Sequence, residues 1–529
     1  MFRATAPQRS LFSVENRLDE EKRARLERTW AHAYRSHALS LIEEAPFARY
    51  FHEDNGRPNK SVRLVLSVLV LKEVFDLTDR EALEQLEWNT AWHYALDVLP
   101  EEAHTCQKTL HNFRTILLDD EGAGLFERTT AKLLGAAGLR TGRQRQDSTH
   151  IVSNIRLLTR LGLFTQTVTK FLEALRKEHP RLCGRLPEEL VERYLDREGY
   201  FGDARSSEAP RRLEQTALDV YELVRRFEEH RAVRGMEAYQ LLVRLYREQC
   251  VAPKMEEPER IELNPKPSSG SLQSPADPDA TYGHKGKGYE VQLVETCEED
   301  NPFQVVTAVE INGANESDQH QVEPQLEQVE RTCGEAPKEL HADAGYGSGE
   351  NILKAREHGT ELKAPIGTPG SEQDLGLGDF TFEAAGEKVR MCPVGAVPVL
   401  HEATRGRVVL AVFAEEACQD CPLRGLCPTE TRKDRRVLRF TPAEVATARR
   451  QTEQRSSAFK ERHKIRSGIE ATNSELKRCH GLRKLRVRRR PRVALSVRLK
   501  VLGMNIKRYV AHVLDVATGA AATAPACAC

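Results

Sequence analysis

Between Gly288 and Ile366 the chain alternates between a two-residue and a helical period, and this alternation limits the folds open to it. Gly288–Val294 (GYEVQLV) and Phe303–Ile311 (FQVVTAVEI) alternate apolar and polar residues as strands do. Gln321–Thr332 reads as a helix, and Lys338–Gly347 as a strand that ends in Asp343 and a glycine turn. Glu350–His358 reads as a second helix and Glu361–Ile366 as a further strand. Strand, strand, helix, strand, helix, strand predicts an α/β domain in which helices flank a mixed sheet. Gly283–Gly288 reads as a turn or flap ahead of it. Taken alone, Asp343 is equally well a turn aspartate beside glycine.

A second stretch carries chemistry. His463–Lys477 (HKIRSGIEATNSELK) reads as one helix. At roughly 100° per residue, His463, Arg466, Glu470, Asn473 and Lys477 share an arc of about 80°. Ala458, Ile465, Ile469 and Leu476 form an apolar stripe beside it. One face thus packs on a core and the next presents a carboxylate among cations. The plain alternative is an exposed Arg466–Glu470 ion pair, worth a few tenths of a kcal/mol.

Charge narrows the partner. The 529 residues carry no net charge, yet Arg432–Arg508 holds 25 Lys and Arg against 6 Asp and Glu. Arg478, Arg483, Lys484, Arg486, Arg488, Arg489 and Arg490 are its densest part. A neutral chain with one such segment suggests a polyanion, with a solvated basic face as the alternative. No apolar run reaches the roughly 18 residues of a membrane span, and the N-terminus lacks the apolar centre of a secretory signal. A cytoplasmic protein without a membrane partner is expected.

Most of the 12 cysteines are scattered, as reduced thiols are. Cys392, Cys418, Cys421 and Cys427 cluster, with Pro and Gly beside them. That set suits a structural tetrahedral zinc, although the gaps around the C-x2-C pair are irregular. Free thiols or an iron–sulfur cluster are the other readings.

The remainder reads mainly as helix. Val62–Phe75 is long and apolar enough for a buried helix, and Thr78-Asp79-Arg80-Glu81 is a capping box opening the next. Thr105–Leu117 makes a third, in a layout that suits either DNA binding or dimer packing. Residues from Leu157 to about Glu262 read as a helical layer, followed by a Pro/Ser linker, Asn264–Asp277. Val493–Tyr509 reads as a closing amphipathic helix, and the Ala/Thr/Pro tail as disordered. Asp147-Ser148-Thr149-His150 has no alternation to mark it as a strand, because Arg143-Gln144-Arg145-Gln146 precedes it.

These stretches together resemble one family. His463, Arg466, Glu470 and Lys477 resemble the Y-(2)-R-(3)-E-(6)-K signature of bacterial insertion-sequence transposases, with His463 in place of Tyr. Asp343-Ala344-Gly345-Tyr346 resembles the D-x-G-Y around that family's second acid. Asp147-Ser148-Thr149-His150, with a helix over Ser153–Leu163, resembles its first catalytic strand. Phe51–Leu117 resembles the helical domain that precedes many such catalytic domains.

The resemblance implies a DDE transposase with an RNase H-like α/β domain, in which Asp147, Asp343 and Glu470 bind two Mg²⁺ or Mn²⁺ ions. Its partners would be the double-stranded DNA of terminal inverted repeats and of the target, bound by a homodimer in association with the nucleoid. Arg466 and Lys477 would bind phosphates, His463 would stack on or donate to DNA, and the basic track Arg478–Arg492 would follow the backbone. Other readings are an RNase H-like nuclease that does not join, or a non-catalytic DNA-binding relic.

The expected organisation is a helical N-terminal domain at 1–140, for DNA binding or dimerisation, and catalytic parts at 141–156, 278–385 and 441–515. A helical insertion with linker at 157–277, a Cys-rich insertion at 386–440 and a disordered tail at 516–529 complete it.

Overall fold

The computed structural model describes every residue except 1, 3–13, 53–58, 120–122, 197–207, 252–260, 368–374, 405–406, 434 and 519–529. Helix α1 (Val62–Val74) is apolar on nearly every side and accordingly lies inside the N-terminal helical unit. Ser61 caps it, and the Thr78–Glu81 capping box starts the next helix, Asp79–Trp88. Lys72 and Glu73 are buried within α1, which is tolerable because they pair with each other and Glu73 also pairs with Lys500.

The central sheet has six strands: β1 (Arg143–Ile151), β2 (Thr281–Gly283), β3 (Gly286–Thr296), β4 (Val306–Gly313), β5 (Glu339–His341) and β6 (Glu361–Lys363). The order across it is β4, β3, β1, β5, β6, with β2 paired to the start of β3. β3 runs antiparallel to both β1 and β4, whereas β5 and β6 are parallel to β1. Parallel neighbours need crossovers, and helices α2 (Val322–Cys333) and α3 (Gly349–Glu357) supply them. This mixed α/β architecture is compatible with an RNase H-like domain.

β1 is a strand without apolar alternation because polar groups on neighbouring elements pair with its inward side chains. Buried Gln144 accepts from the Thr307 hydroxyl at 2.5 Å, and Arg145 pairs with buried Glu295 at 2.7 Å. The stretch Ser153–Leu163, expected to be helical, is extended or irregular up to Thr159, whose side chain caps a helix at Arg160–Glu178. That helix, with Ala209–Phe227 and Glu237–Gln249, encloses a separate apolar core around Phe164, Phe171, Val220 and Leu242. The cysteine-rich segment folds on a four-stranded sheet ordered Leu400–Ala403, Val409–Ala414, Arg435–Phe440, Glu430–Arg432.

His463–Lys477 is not one helix. Helix α4 (Ser457–His463) ends, Lys464–Gly468 tightens into a 3-10 turn, and α5 (Ile469–Cys479) begins afresh. The cause lies far away in sequence. The Arg145 guanidinium donates to the Ile465 carbonyl at 3.1 Å and lies against Gly468, where an added Cβ would meet Nη1 at 1.9 Å. The apolar stripe shifts as a result: Phe459, Ile469 and Leu476 are buried, whereas Ala458 is exposed. Helix α6 (Arg490–Thr518) is longer than expected, so residues 516–518 are helical and the rest of the tail lies outside the described residues. No helix among the described residues is long and apolar enough to cross a membrane.

Candidate active site

Asp147 and Asp343 are brought together by strand register. The β1–β5 ladder pairs Arg145 with His341, and each aspartate lies two residues further along its own strand direction. Neighbouring strands are about 4.8 Å apart, so the two acids end up side by side at one edge of the sheet. Asp343 sits in the turn after β5, where the Gly345 amide donates to its Oδ1 at 2.8 Å. Gly345 must be small: an added Cβ would stand 3.0 Å from that oxygen. Tyr346 is buried and donates its hydroxyl to Gln292 on β3, which pegs the turn to the sheet.

Glu470 reaches the same end from α5. One guanidinium joins it to Asp147: Arg466 Nη1 is 3.6 Å from Asp147 Oδ1, and Nη2 is 3.3 Å from Glu470 Oε1. Asn473, one turn along α5, donates to Asp147 Oδ2 at 3.0 Å. Asp147 is 14% exposed and Glu470 65%, so the first is enclosed and the second faces solvent. Burial pushes the Asp147 carboxyl up to about 6; Arg466 opposes this and the neighbouring Asp343 charge adds to it.

His463 has a different place from the one expected. Its Nε2–H donates to the Ala342 carbonyl at 2.9 Å, and its ring stacks on Phe459 with centroids 5.7 Å apart. It therefore holds the strand end that carries Asp343.

The basic residues divide in two. Lys477 lies near Asp147, and burial is the main reason its ammonium holds its proton less tightly than usual. Arg478, Arg483 and Lys484 are exposed. Lys484 lines a cavity of about 530 Å³ that also touches Lys72, Arg114 and Arg492. Arg486, by contrast, donates to the Leu77 carbonyl at 2.7 Å, and Arg488 to the Asn154 carbonyl at 2.6 Å. Arg489 pairs with Glu237, and Arg490 with Glu316 at 3.0 Å and the Ile311 carbonyl. From Arg486 to Arg490 the arginines also make internal contacts, while Arg486, Arg488 and Arg490 keep exposed surface.

The four clustered cysteines line one small cavity of about 30 Å³. The Ala396 amide donates to Cys392 Sγ at 3.2 Å, and the Thr429 hydroxyl to Cys427 Sγ at 3.3 Å. Burial raises the Cys418 thiol above its ordinary value, and the other three thiols push it the same way. Such N–H and O–H donors to sulfur suit thiolates. Among the described residues, however, no group of three or more His, Cys, Asp or Glu is drawn close enough to hold a metal ion, either here or at the acids.

Sequence reasoning missed several members of the site. Asp318 accepts from Ser148 Oγ at 3.2 Å and from Gln292 Nε2 at 2.5 Å, directly behind the Asp343 turn. Glu295 anchors Arg145, and through it the 3-10 turn ahead of Glu470. Gly468 is the one local signal: a glycine just before the acid, placed where an added Cβ would push the Arg145 guanidinium aside.

Two family comparisons match. Residues 391–510 match the transposase DDE domain, and residues 22–115 match a transposase domain of the DUF772 type. Together the two matches fit a DDE transposase of an insertion sequence. The first match takes in the four cysteines, Arg466, Glu470 and Lys477, so the cysteine-rich sheet is part of the matched domain. Asp147 and Asp343 lie outside both matches. No curated protein and no solved structure matches. Both matched domains are transposase domains, so the similarity indicates a DNA transposase.

Proposed function

We propose that this transposase cleaves DNA at the ends of its element and joins the freed 3′-OH to target DNA, using Asp147, Asp343 and Glu470 to hold two Mg²⁺ or Mn²⁺ ions. The observation that supports the reading is that Asp147 and Asp343 lie at adjacent strand ends and that Arg466 links Glu470 to Asp147. Carboxylate oxygens suit hard divalent cations, and burial still raises the Asp147 carboxyl although Arg466 stands beside it, so a cation bound between Asp147 and Asp343 would relieve it further. Asp147, Asp343 and Glu470 would hold the ions, and the exposed Glu470 would have to turn toward the two aspartates to do so. Ions bound there would activate the attacking oxygen and stabilise the leaving one.

The chain's own groups prepare that chemistry. Asn473 fixes the orientation of Asp147. Tyr346 and His463 hold the Asp343 turn from opposite sides. Arg466 and Lys477 offer cations to phosphates beside the acids, and the chain works as a homodimer on DNA. The cysteine cluster is proposed to hold a structural zinc, since its donors are soft and already accept hydrogen bonds.

A plasmid assay with DNA from the flanks of the coding region tests the reading. Wild-type protein with Mg²⁺ should give strand-transfer products, and Asp147→Asn, Asp343→Asn and Glu470→Gln should each lower the rate at least about 1000-fold. Cleavage without joined products would favour a nuclease. Activity that survives all three substitutions would refute the assignment.

A further inference from the structure

We propose that Lys285, at the tip of the β2–β3 hairpin, forms with His150 and Lys477 a seat for a DNA backbone phosphate next to the acid site. The inference rests on the DNA chemistry proposed above and adds to it a residue that lies outside both matched regions.

The hairpin is held in place by two close approaches that only glycine permits. A Cβ on Gly283 would meet the Ala314 carbonyl oxygen at 2.0 Å. A Cβ on Gly288 would meet the Ile151 carbonyl oxygen at 2.1 Å and His150 Nε2 at 3.2 Å, and the φ of +147° at Gly288 also excludes other residues. The hairpin is therefore pressed onto the end of β1, with Gly283 paired to Gly286 and His284-Lys285 as its two-residue tip. The two neighbouring lysines differ. Lys287 donates to the Leu158 carbonyl at 2.7 Å and is engaged. Lys285 turns the other way, 3.5 Å from Glu290, which pairs with His150 across the β1–β3 ladder.

Three groups with positive or donor character converge there. Lys477 has no ion-pair partner among the described residues and stands one helical turn beyond Asn473, which touches Asp147. Nε2 of His150 is buried without a hydrogen-bond partner among the described residues. Burial lowers the proton affinity of both Lys477 and His150, and the charge of Lys285 adds to it in each. Glu290 is one carboxylate beside two lysines and a buried imidazole nitrogen, so a further anion entering between Lys285 and Lys477 gains stability. A phosphate is the anion that DNA at this end of the sheet supplies, whereas sequence reading would need base edges that a lysine tip does not select.

The test compares wild type, Lys285→Ala and Lys285→Arg for binding to a flank duplex and to a random duplex, across a salt series. The tip is exposed, so thermal unfolding should be unchanged. Lys285→Ala should weaken both duplexes about 3–10-fold and lower the slope of log affinity against log salt by about 1. Lys285→Arg should restore most of the affinity. Single methylphosphonates placed along the flank duplex should reveal one position at which the Lys285→Ala penalty vanishes. Equal slopes for wild type and Lys285→Ala would overturn the seat while leaving the acid site intact. A wild type that neither binds nor cuts DNA would overturn both.

Discussion

Two basic regions of this transposase look alike in sequence and have opposite fates. Around the acids, Arg466, Lys477 and Lys285 face Asp147, Glu470 and Glu290, where a metal or phosphate would enter. From Arg486 to Arg490, the denser run, the guanidiniums are bound to carbonyls and carboxylates of the N-terminal helices, the insertion and the sheet. The difference teaches that charge density locates a basic segment but does not say which charges remain for a ligand. That depends on the count of internal partners.

The largest stability effect should come from the buried clamp behind the acids. Glu295 is fully buried between Arg145 and Arg508. Glu295→Gln would leave two buried guanidiniums short of charge and should lower unfolding stability by about 3–5 kcal/mol, read from urea melts. The same clamp sets the 3-10 turn before Glu470, so Gly468→Ala should cut the cleavage rate about 10–100-fold while DNA affinity is kept. Equal losses of affinity and rate would show that the turn serves binding instead.

Smaller effects bear on the comparison itself. Arg489→Ala should cost no more than about 1 kcal/mol and leave the salt slope of DNA binding unchanged, because its partner is Glu237. Lys477→Ala should lower that slope by about 1. If Arg489→Ala lowered the slope as much, the internal pair would be exchanging for phosphate and the division would fail.

The pH dependence follows from Asp147. Its carboxyl is raised from the ordinary value near 3.9 to about 6, so the folded protein without metal disfavours ionisation there. Stability from this group is fully present below about 4 and is lost as pH rises through about 6. Metal must displace the proton below that point, so Mn²⁺ affinity should rise up to about tenfold per pH unit and then level off. Calorimetry from pH 5 to 8 would check this, and Asp147→Asn should flatten the stability profile.

Much of the fold was legible because β3 and β4 bury apolar residues at a two-residue period, and because Thr78–Glu81 caps as its residue types require. β1 was not legible from pattern: Gln144, Arg145 and Gln146 lie inward or half-buried, satisfied by Thr307, Glu295 and the Gln321 carbonyl. The break before Glu470 was hidden for a related reason, since Arg145 imposes it from another strand. Asp147, Asp343 and Glu470 were chosen through resemblance. The groups that orient them, Asn473, Tyr346, Gln292 and Asp318, are set by register and packing, which no local motif records.

The acid site itself is tested most directly by counting metal ions. Mn²⁺ titration of the DNA-bound protein, followed by electron paramagnetic resonance, should give two tightly bound ions per chain for wild type and neither for Asp147→Ala. Two ions bound as tightly by Asp147→Ala as by wild type would contradict the account.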